Sequence, residues 1–217
     1  MAGKFITFEG GEGAGKSTQI RLLGERLKEA GIAVTMTREP GGTPQAEAIR
    51  KLILSGKAKQ LGPEGEAVLF AAARADHVDK VIRPALAEGR WVLCDRFSDS
   101  TRVYQAEIGG EMLDGLDRVA VGRTQPDRTY ILDVPASVGL ARMKARAEAI
   151  GSAPDRFEQD DAALHQARRR AFLEIVVDHP ERCVAVDANR PEHIIADEIW
   201  ADVSANLLGI ADEKRST

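Results

Sequence analysis

Apolar residues along this chain fall into two kinds of pattern. Short, near-continuous runs occur at 5–8, 33–37, 91–94, 129–134 and 183–186. Between them lie longer stretches in which apolar positions recur every three or four residues, at about 17–30, 44–55, 64–88, 111–123, 136–148, 160–178 and 191–208. Runs without alternation mark strands buried on both faces, and the longer spacing marks amphipathic helices. Their alternation predicts an α/β fold: a doubly wound, five-stranded parallel sheet flanked by helices, with ligands at the carboxyl ends of the strands. Gly31 and Gly89 stand where two helices should end and serve as C-terminal caps. Pro84 requires a kink or an early end in the third helix, because it has no N–H to donate.

The first run is followed at 10–17 by Gly-Gly-Glu-Gly-Ala-Gly-Lys-Ser, a G-x-x-x-x-G-K-S phosphate-binding loop set between a strand and a helix. Gly10, Gly11, Gly13, Ala14 and Gly15 let the backbone turn its N–H groups toward one centre, where the helix N-terminus adds positive charge. Lys16 reaches the terminal phosphates of a nucleotide, the Ser17 hydroxyl ligates Mg²⁺, and Thr18 continues the same turn. The sheet is therefore expected to be of the P-loop NTPase type, with ATP and Mg²⁺ as cofactors.

Composition narrows the setting. The 217 residues are 43% apolar and 29% charged, as in a globular domain. We expect one domain over 1–210, with a polar tail at 211–217. A formal net charge of −4 argues against a nucleic-acid polymer as partner. The two cysteines, Cys94 and Cys183, lie in separate apolar runs and read as buried thiols rather than a disulfide framework. Neither a signal-peptide pattern nor a membrane-length apolar run is present, so no membrane association and a cytoplasmic location are expected.

Further candidate chemistry gathers at the strand ends. The third run ends in Asp95, which in phosphate-loop proteins orders the Mg²⁺ shell. Arg96 follows, with a planar fork suited to phosphate or, equally simply, to a surface salt bridge. After the second run, Thr37-Arg38-Glu39-Pro40-Gly41-Gly42-Thr43 forces an irregular loop at the same edge. Phe70 and Arg74 share a helix face and suit a base's ring and edge, although Phe70 also fits a core position. Arg142 and Arg146 share another face, followed by a Gly/Ser/Pro-containing stretch and Asp155-Arg156-Phe157-Glu158. Such a segment suits a lid over phosphates at about 142–158, or else a solvated helix face. Arg168-Arg169-Arg170 reads as a solvated face, and the four histidines show no metal-ligand spacing.

Taken in order, these pieces resemble bacterial thymidylate kinases over nearly the whole chain. The resemblance rests on the phosphate loop, 37–43, Leu69-Phe70-Ala71-Ala72-Ala73-Arg74, Asp95-Arg96-Phe97, Tyr104-Gln105 and Asp155-Arg156-Phe157-Glu158. The 37–43 segment is the most specific. The resemblance implies transfer of the ATP γ-phosphate to dTMP, a homodimer, and a set of roles. Phe70 would stack on thymine and Arg74 bond its edge, with Arg38 and Pro40 at the same substrate and Gln105 beside it. Arg96 would hold the dTMP phosphate, Ser100 and Thr101 would approach the pyrimidine, and Tyr104 would pack on the deoxyribose. Glu12 would meet the acceptor or the metal's water shell. With Gly13 and Ala14 in the loop, catalytic charge would come from the lid through Arg146 and Arg156, with Arg142 packing on adenine. Ala106–Ile108 and the following glycines replace the Arg-bearing stretch common in relatives.

Phosphoryl transfer to a monophosphate needs positioning and charge rather than an activated nucleophile. Two alternatives stay open on the residues alone: a phosphate-loop kinase for another small acceptor, and a nucleotide-dependent switch ATPase. The guanine-specificity and switch motifs of GTP switches are not found in the sequence.

Overall fold

The structure is a computed structural model that describes residues 2–151, 157 and 160–209. Five strands, β1 (Phe5–Glu9), β2 (Val34–Arg38), β3 (Trp91–Asp95), β4 (Arg128–Asp133) and β5 (Cys183–Asp187), form one sheet in the order β2-β3-β1-β4-β5. All neighbours are parallel. The central strands β1 and β3 are apolar and buried along almost their whole length, whereas edge strand β2 is half-buried to exposed and edge strand β5 mixes exposed and buried positions. Each expected apolar run has become a strand, extended at its carboxyl end in four cases by the polar residue that follows it.

Nine helices pack around the sheet among the described residues: α1 (Lys16–Glu29), α2 (Pro44–Leu54), α3 (Gly62–His77), α4 (Arg83–Ala87), α5 (Ser98–Tyr104), α6 (Gly110–Ala120), α7 (Ala136–Ile150), α8 (Ala162–Asp178) and α9 (Glu192–Asn206). Strand alternation sends Ile6 and Phe8 into one core layer with Leu23, Leu27, Ile195 and Ile199 of α1 and α9. Phe5, Val92 and Cys94 face the opposite layer with Val78, Ile82 and Phe97. Cys94 and Cys183 are both free and buried.

Gly31 and Gly89 take positive φ just past helix ends, as expected of C-terminal caps. The long third helix is broken as Pro84 requires. A π-helical turn, Val78–Ile82, separates α3 from α4 and leaves room for the proline ring. The short helix α5 was not anticipated: its polar Ser-Asp-Ser-Thr sequence carries no helical apolar stripe, yet Ser98, Asp99, Ser100 and Thr101 are all buried.

Because the strands are parallel, their carboxyl ends lie on one edge. Phe8 is level with Asp95, and Arg38 is level with Asp95 from the other side. The segments after β1, β2 and β3 therefore meet above the sheet.

Candidate active site

The floor of this edge is the phosphate loop. Gly10, Gly13 and Gly15 have φ of 124°, 68° and 91°. A Cβ on Gly13 would fall 2.2 Å from the Gly139 carbonyl, and one on Gly10 would fall 2.5 Å from that of Leu132. Only glycine fits both the dihedral and the close approach. Lys16 opens α1 and donates back to the Gly10 and Gly11 carbonyls at 3.1 and 2.9 Å. Burial and neighbouring Arg96 lower its pKa, against the pull of Glu12, Asp95 and Glu9. Ser17 Oγ donates to Asp95 Oδ2 at 2.7 Å. Hydroxyl and carboxylate are thus side by side, the hard-oxygen pair that suits a Mg²⁺ arriving with phosphates and waters.

Arg96 stands over this floor. It is a non-glycine residue with φ of 68°, a left-handed conformation that costs energy and needs support. Its guanidinium donates to Gly10 O, Ser100 Oγ and Glu12 Oε1 at 3.2, 3.1 and 2.7 Å. Burial would lower its pKa, but Glu12, Tyr104 and Asp95 outweigh burial and keep it charged. Glu12 also accepts from the Tyr104 hydroxyl at 2.9 Å. Burial alone would raise the Glu12 pKa; Arg96 and Lys16 reverse this and bring it down to about 2.

Beneath Arg96 lies a residue that the sequence reading passed over. Glu9 ends β1, is fully buried, and accepts from Phe97 N and Ser100 Oγ, both at 2.6 Å. Burial and the nearby Asp99 raise its pKa to about 8, despite the bonds from Ser100 and Phe97 and the charge of Arg96. Both of its contacts brace the turn that carries Arg96.

The far end of the cleft is built by α3 and α5. Arg74 is buried and donates through Nε to Glu39 Oε2 at 2.7 Å and through Nη2 to Phe97 O and Thr101 Oγ1 at 3.0 and 2.8 Å. Its Nη1 keeps a longer 3.6 Å ion pair with Asp117. Glu39 also meets His77 Nδ1 at 2.9 Å, while Nε2 of that ring lies 2.7 Å from Thr37 Oγ1. His77 is therefore a buried brace between β2 and α3. Arg38 pairs with Glu47, and Arg50 donates to the Pro40 carbonyl at 2.9 Å. Phe70 is half-buried and faces Phe157 at 6.5 Å. Gln105 is buried, and its Oε1 has no hydrogen-bond partner among the described residues.

These groups enclose one cleft of about 390 Å³. It is bordered by Glu12, Gly13, Ala14, Gly15, Lys16, Ser17 and Thr18 at one end and by Arg38, Pro40, Phe70, Arg74, Ser100, Thr101, Tyr104 and Gln105 at the other, with Asp95, Arg96 and Arg146 also lining it. Arg142 is outside the cleft and donates to the Ala188 carbonyl after β5 at 3.1 Å. Arg156, with Asp155 and Glu158, lies outside the described residues.

The expectation for 168–170 needs correction. Arg170 is exposed, but Arg168 is buried, paired with Asp160 at 2.7 Å and set 4.4 Å from the Tyr104 ring centroid. Arg169 forms a two-pronged pair with Asp133 at 2.6 and 2.7 Å. Partners from distant segments, invisible in a local window, turned a charge run into packing. Glu9 and Glu39 had a readable signal, since each ends or follows an apolar strand as Asp95 does. Arg168 had none.

A family model described as thymidylate kinase matches residues 8–199. The thymidylate kinase of Nitrobacter winogradskyi is 54% identical, over 92% of this chain and 87% of that protein. That of Bradyrhizobium diazoefficiens is 51% identical over 95% and 91%. Among solved structures, the thymidylate kinase of Ehrlichia chaffeensis superposes with a TM-score of 0.73 at 33% identity, covering 94% of this chain and 99% of its own.

Proposed function

The chain belongs to the thymidylate kinase family, and we infer that it transfers the γ-phosphoryl group of ATP to dTMP, giving ADP and dTDP. The observation that carries this reading is the single cleft, with phosphate-binding chemistry at one end and base-binding chemistry at the other. Gln105 Oε1 is a buried acceptor without a donor among the described residues. Thymine offers an N3–H donor beside its O4 acceptor, and Arg74, which lines the same cleft, would bond the latter. Phe70 supplies a ring for the base's face.

The acceptor needs no activated base. A phosphate monoester's second pKa is about 6, so its oxygen is largely anionic at neutral pH. The barrier lies in bringing two polyanions together and stabilising the charge of a loose transition state. Arg96 holds the dTMP phosphate, braced by Glu12, Ser100 and the loop carbonyl. Lys16 and the loop N–H groups hold the ATP phosphates. Ser17 and Asp95 would hold Mg²⁺, which supplies charge neutralisation between the phosphates. Tyr104 packs against the deoxyribose, where a 2′-hydroxyl would clash, and Glu12 below it meets the acceptor's sugar or the metal's water shell. Arg146 lines the cleft from α7, and with Arg156 it supplies catalytic charge from a lid over about 142–158. Arg142, turned toward the loop after β5, packs on adenine.

The chain is proposed to work as a homodimer. Leu52, Val68 and Val119 are exposed apolar residues on α2, α3 and α6, with α3 packed against both of the others. No helix among the described residues is long and apolar enough to cross a membrane. The buried free thiols accord with a reducing compartment such as the cytoplasm. The test is ADP release from Mg-ATP with a panel of nucleoside monophosphates, nucleosides and small acids. dTMP should give the highest kcat/KM; a nucleoside or a purine monophosphate in that place would overturn the reading.

A further inference from the structure

Tyr104 is flanked by two guanidinium groups. The central carbon of Arg96 lies 5.1 Å from its ring centroid and that of Arg168 lies 4.4 Å away. The two arginines have different surroundings. Arg96 lines the 390 Å³ cleft, whereas Arg168 borders a separate recess of about 270 Å³. Tyr104 and Phe157 line both cavities and so form the partition between them. Arg168 therefore reaches the cleft through Tyr104.

Its position is built rather than incidental. Arg168 and Phe172 are four residues apart on α8 and share one face. Both meet Tyr104, with the two rings 6.3 Å apart. The Arg168 side chain is 9% exposed and its Nη2 donates to Asp160 Oδ2 at 2.7 Å. The same guanidinium lies 5.9 Å from the Phe157 ring, which meets Tyr104 edge-on at 5.4 Å. Tyr104 in turn donates to Glu12, and Glu12 accepts from Arg96. A cation over an aromatic face in a water-poor site restrains that ring more than one at the surface.

We propose that Arg168 is a positioning residue for the acceptor half of the cleft: it holds the Tyr104 ring from the side away from substrate and fastens Phe157 and Asp160 to the same ring. With the ring held, the Tyr104 hydroxyl keeps Glu12 in line with Arg96. This rests on the reading above that Tyr104 packs on the acceptor's sugar.

The experiment is steady-state kinetics with both substrates varied, on R168M, R168K, Y104A and the Y104A/R168M double variant, each first checked for cooperative thermal unfolding. R168M should raise the dTMP KM about thirtyfold, the size of a desolvated cation–π contact. The ATP KM should stay within about twofold, because the loss is confined to acceptor binding. R168K, which keeps a cation over the ring, should recover most of the loss. In the double variant the Arg168 change should add nothing to Y104A. Equal rises in both KM values, no recovery in R168K, or penalties that multiply in the double variant would overturn the proposal. An impaired Y104A beside a wild-type R168M defeats the proposal alone; a wild-type dTMP KM in Y104A defeats the sugar-packing reading and the proposal with it.

Discussion

Replacing Glu39 by alanine should damage stability and acceptor binding together. Glu39 and Arg74 form an ion pair with side chains 3% and 4% exposed. Breaking such a pair from one side strands a buried charge, at a cost of about 3–5 kcal/mol. Arg74 would retain Phe97 O, Thr101 Oγ1 and the longer contact with Asp117. Those remaining partners put the expected loss near the lower end, about 3 kcal/mol, including the orphaned His77 Nδ1. For a chain of this length, that corresponds to a fall in Tm of about 6–12 °C. Glu39→Gln keeps an acceptor and removes only the charge, so it should fall between alanine and wild type. With Arg74 no longer held, the dTMP KM should rise while the ATP KM changes little. The assays are thermal unfolding by circular dichroism and initial rates with each substrate varied. A Tm drop below about 2 °C in Glu39→Ala, with an unchanged dTMP KM, would show that this pair neither holds the fold nor presets Arg74.

Two other outcomes are expected. Single alanine variants of Arg146 and Arg156 should lower kcat with little change in dTMP KM, by up to about 10³–10⁵ for a residue that engages the transition state, while Arg142→Ala should mainly raise the ATP KM; wild-type kcat at both Arg146 and Arg156 would remove the lid from catalysis. Glu9 holds its proton in the fold up to about pH 8, against a usual value of 4.5. The unfolded chain releases that proton first as pH rises, so the stabilisation is complete below pH 4.5 and is lost on the way up through pH 8. Glu9→Gln has no proton to lose, and its Tm relative to wild type should climb steadily from about pH 5 to about pH 9; a constant offset would contradict a protonated Glu9.

What could be read in advance depended on how local its cause was. The strands, the phosphate loop, Asp95 and the break near Pro84 follow from spacing, glycine geometry and a missing N–H, all set within a few residues. The helix α5 was hidden because its buried hydroxyls are satisfied from far away, Ser100 by Glu9 on β1 and Thr101 by Arg74 on α3. The same holds for Asp99, which is buried yet answered by two bonds from Arg182. Arg74 was singled out as a base reader from its face on α3, but the buried pair that presets it depends on β2 lying alongside. Arg168 shows the limit: within its own window it is one of three consecutive arginines, and only the packing of α8 on α5 separates it from its neighbours.

At the centre is one cleft that carries a phosphoryl group from ATP, held by the phosphate loop, to dTMP. Phosphorus NMR of a mixture of Mg-ATP, dTMP and enzyme follows donor and acceptor at once. dTDP and ADP should accumulate in equal amounts with no inorganic phosphate, and Lys16→Ala, still folded, should produce neither. Release of inorganic phosphate without dTDP, or undiminished dTDP formation by Lys16→Ala, would contradict this reading.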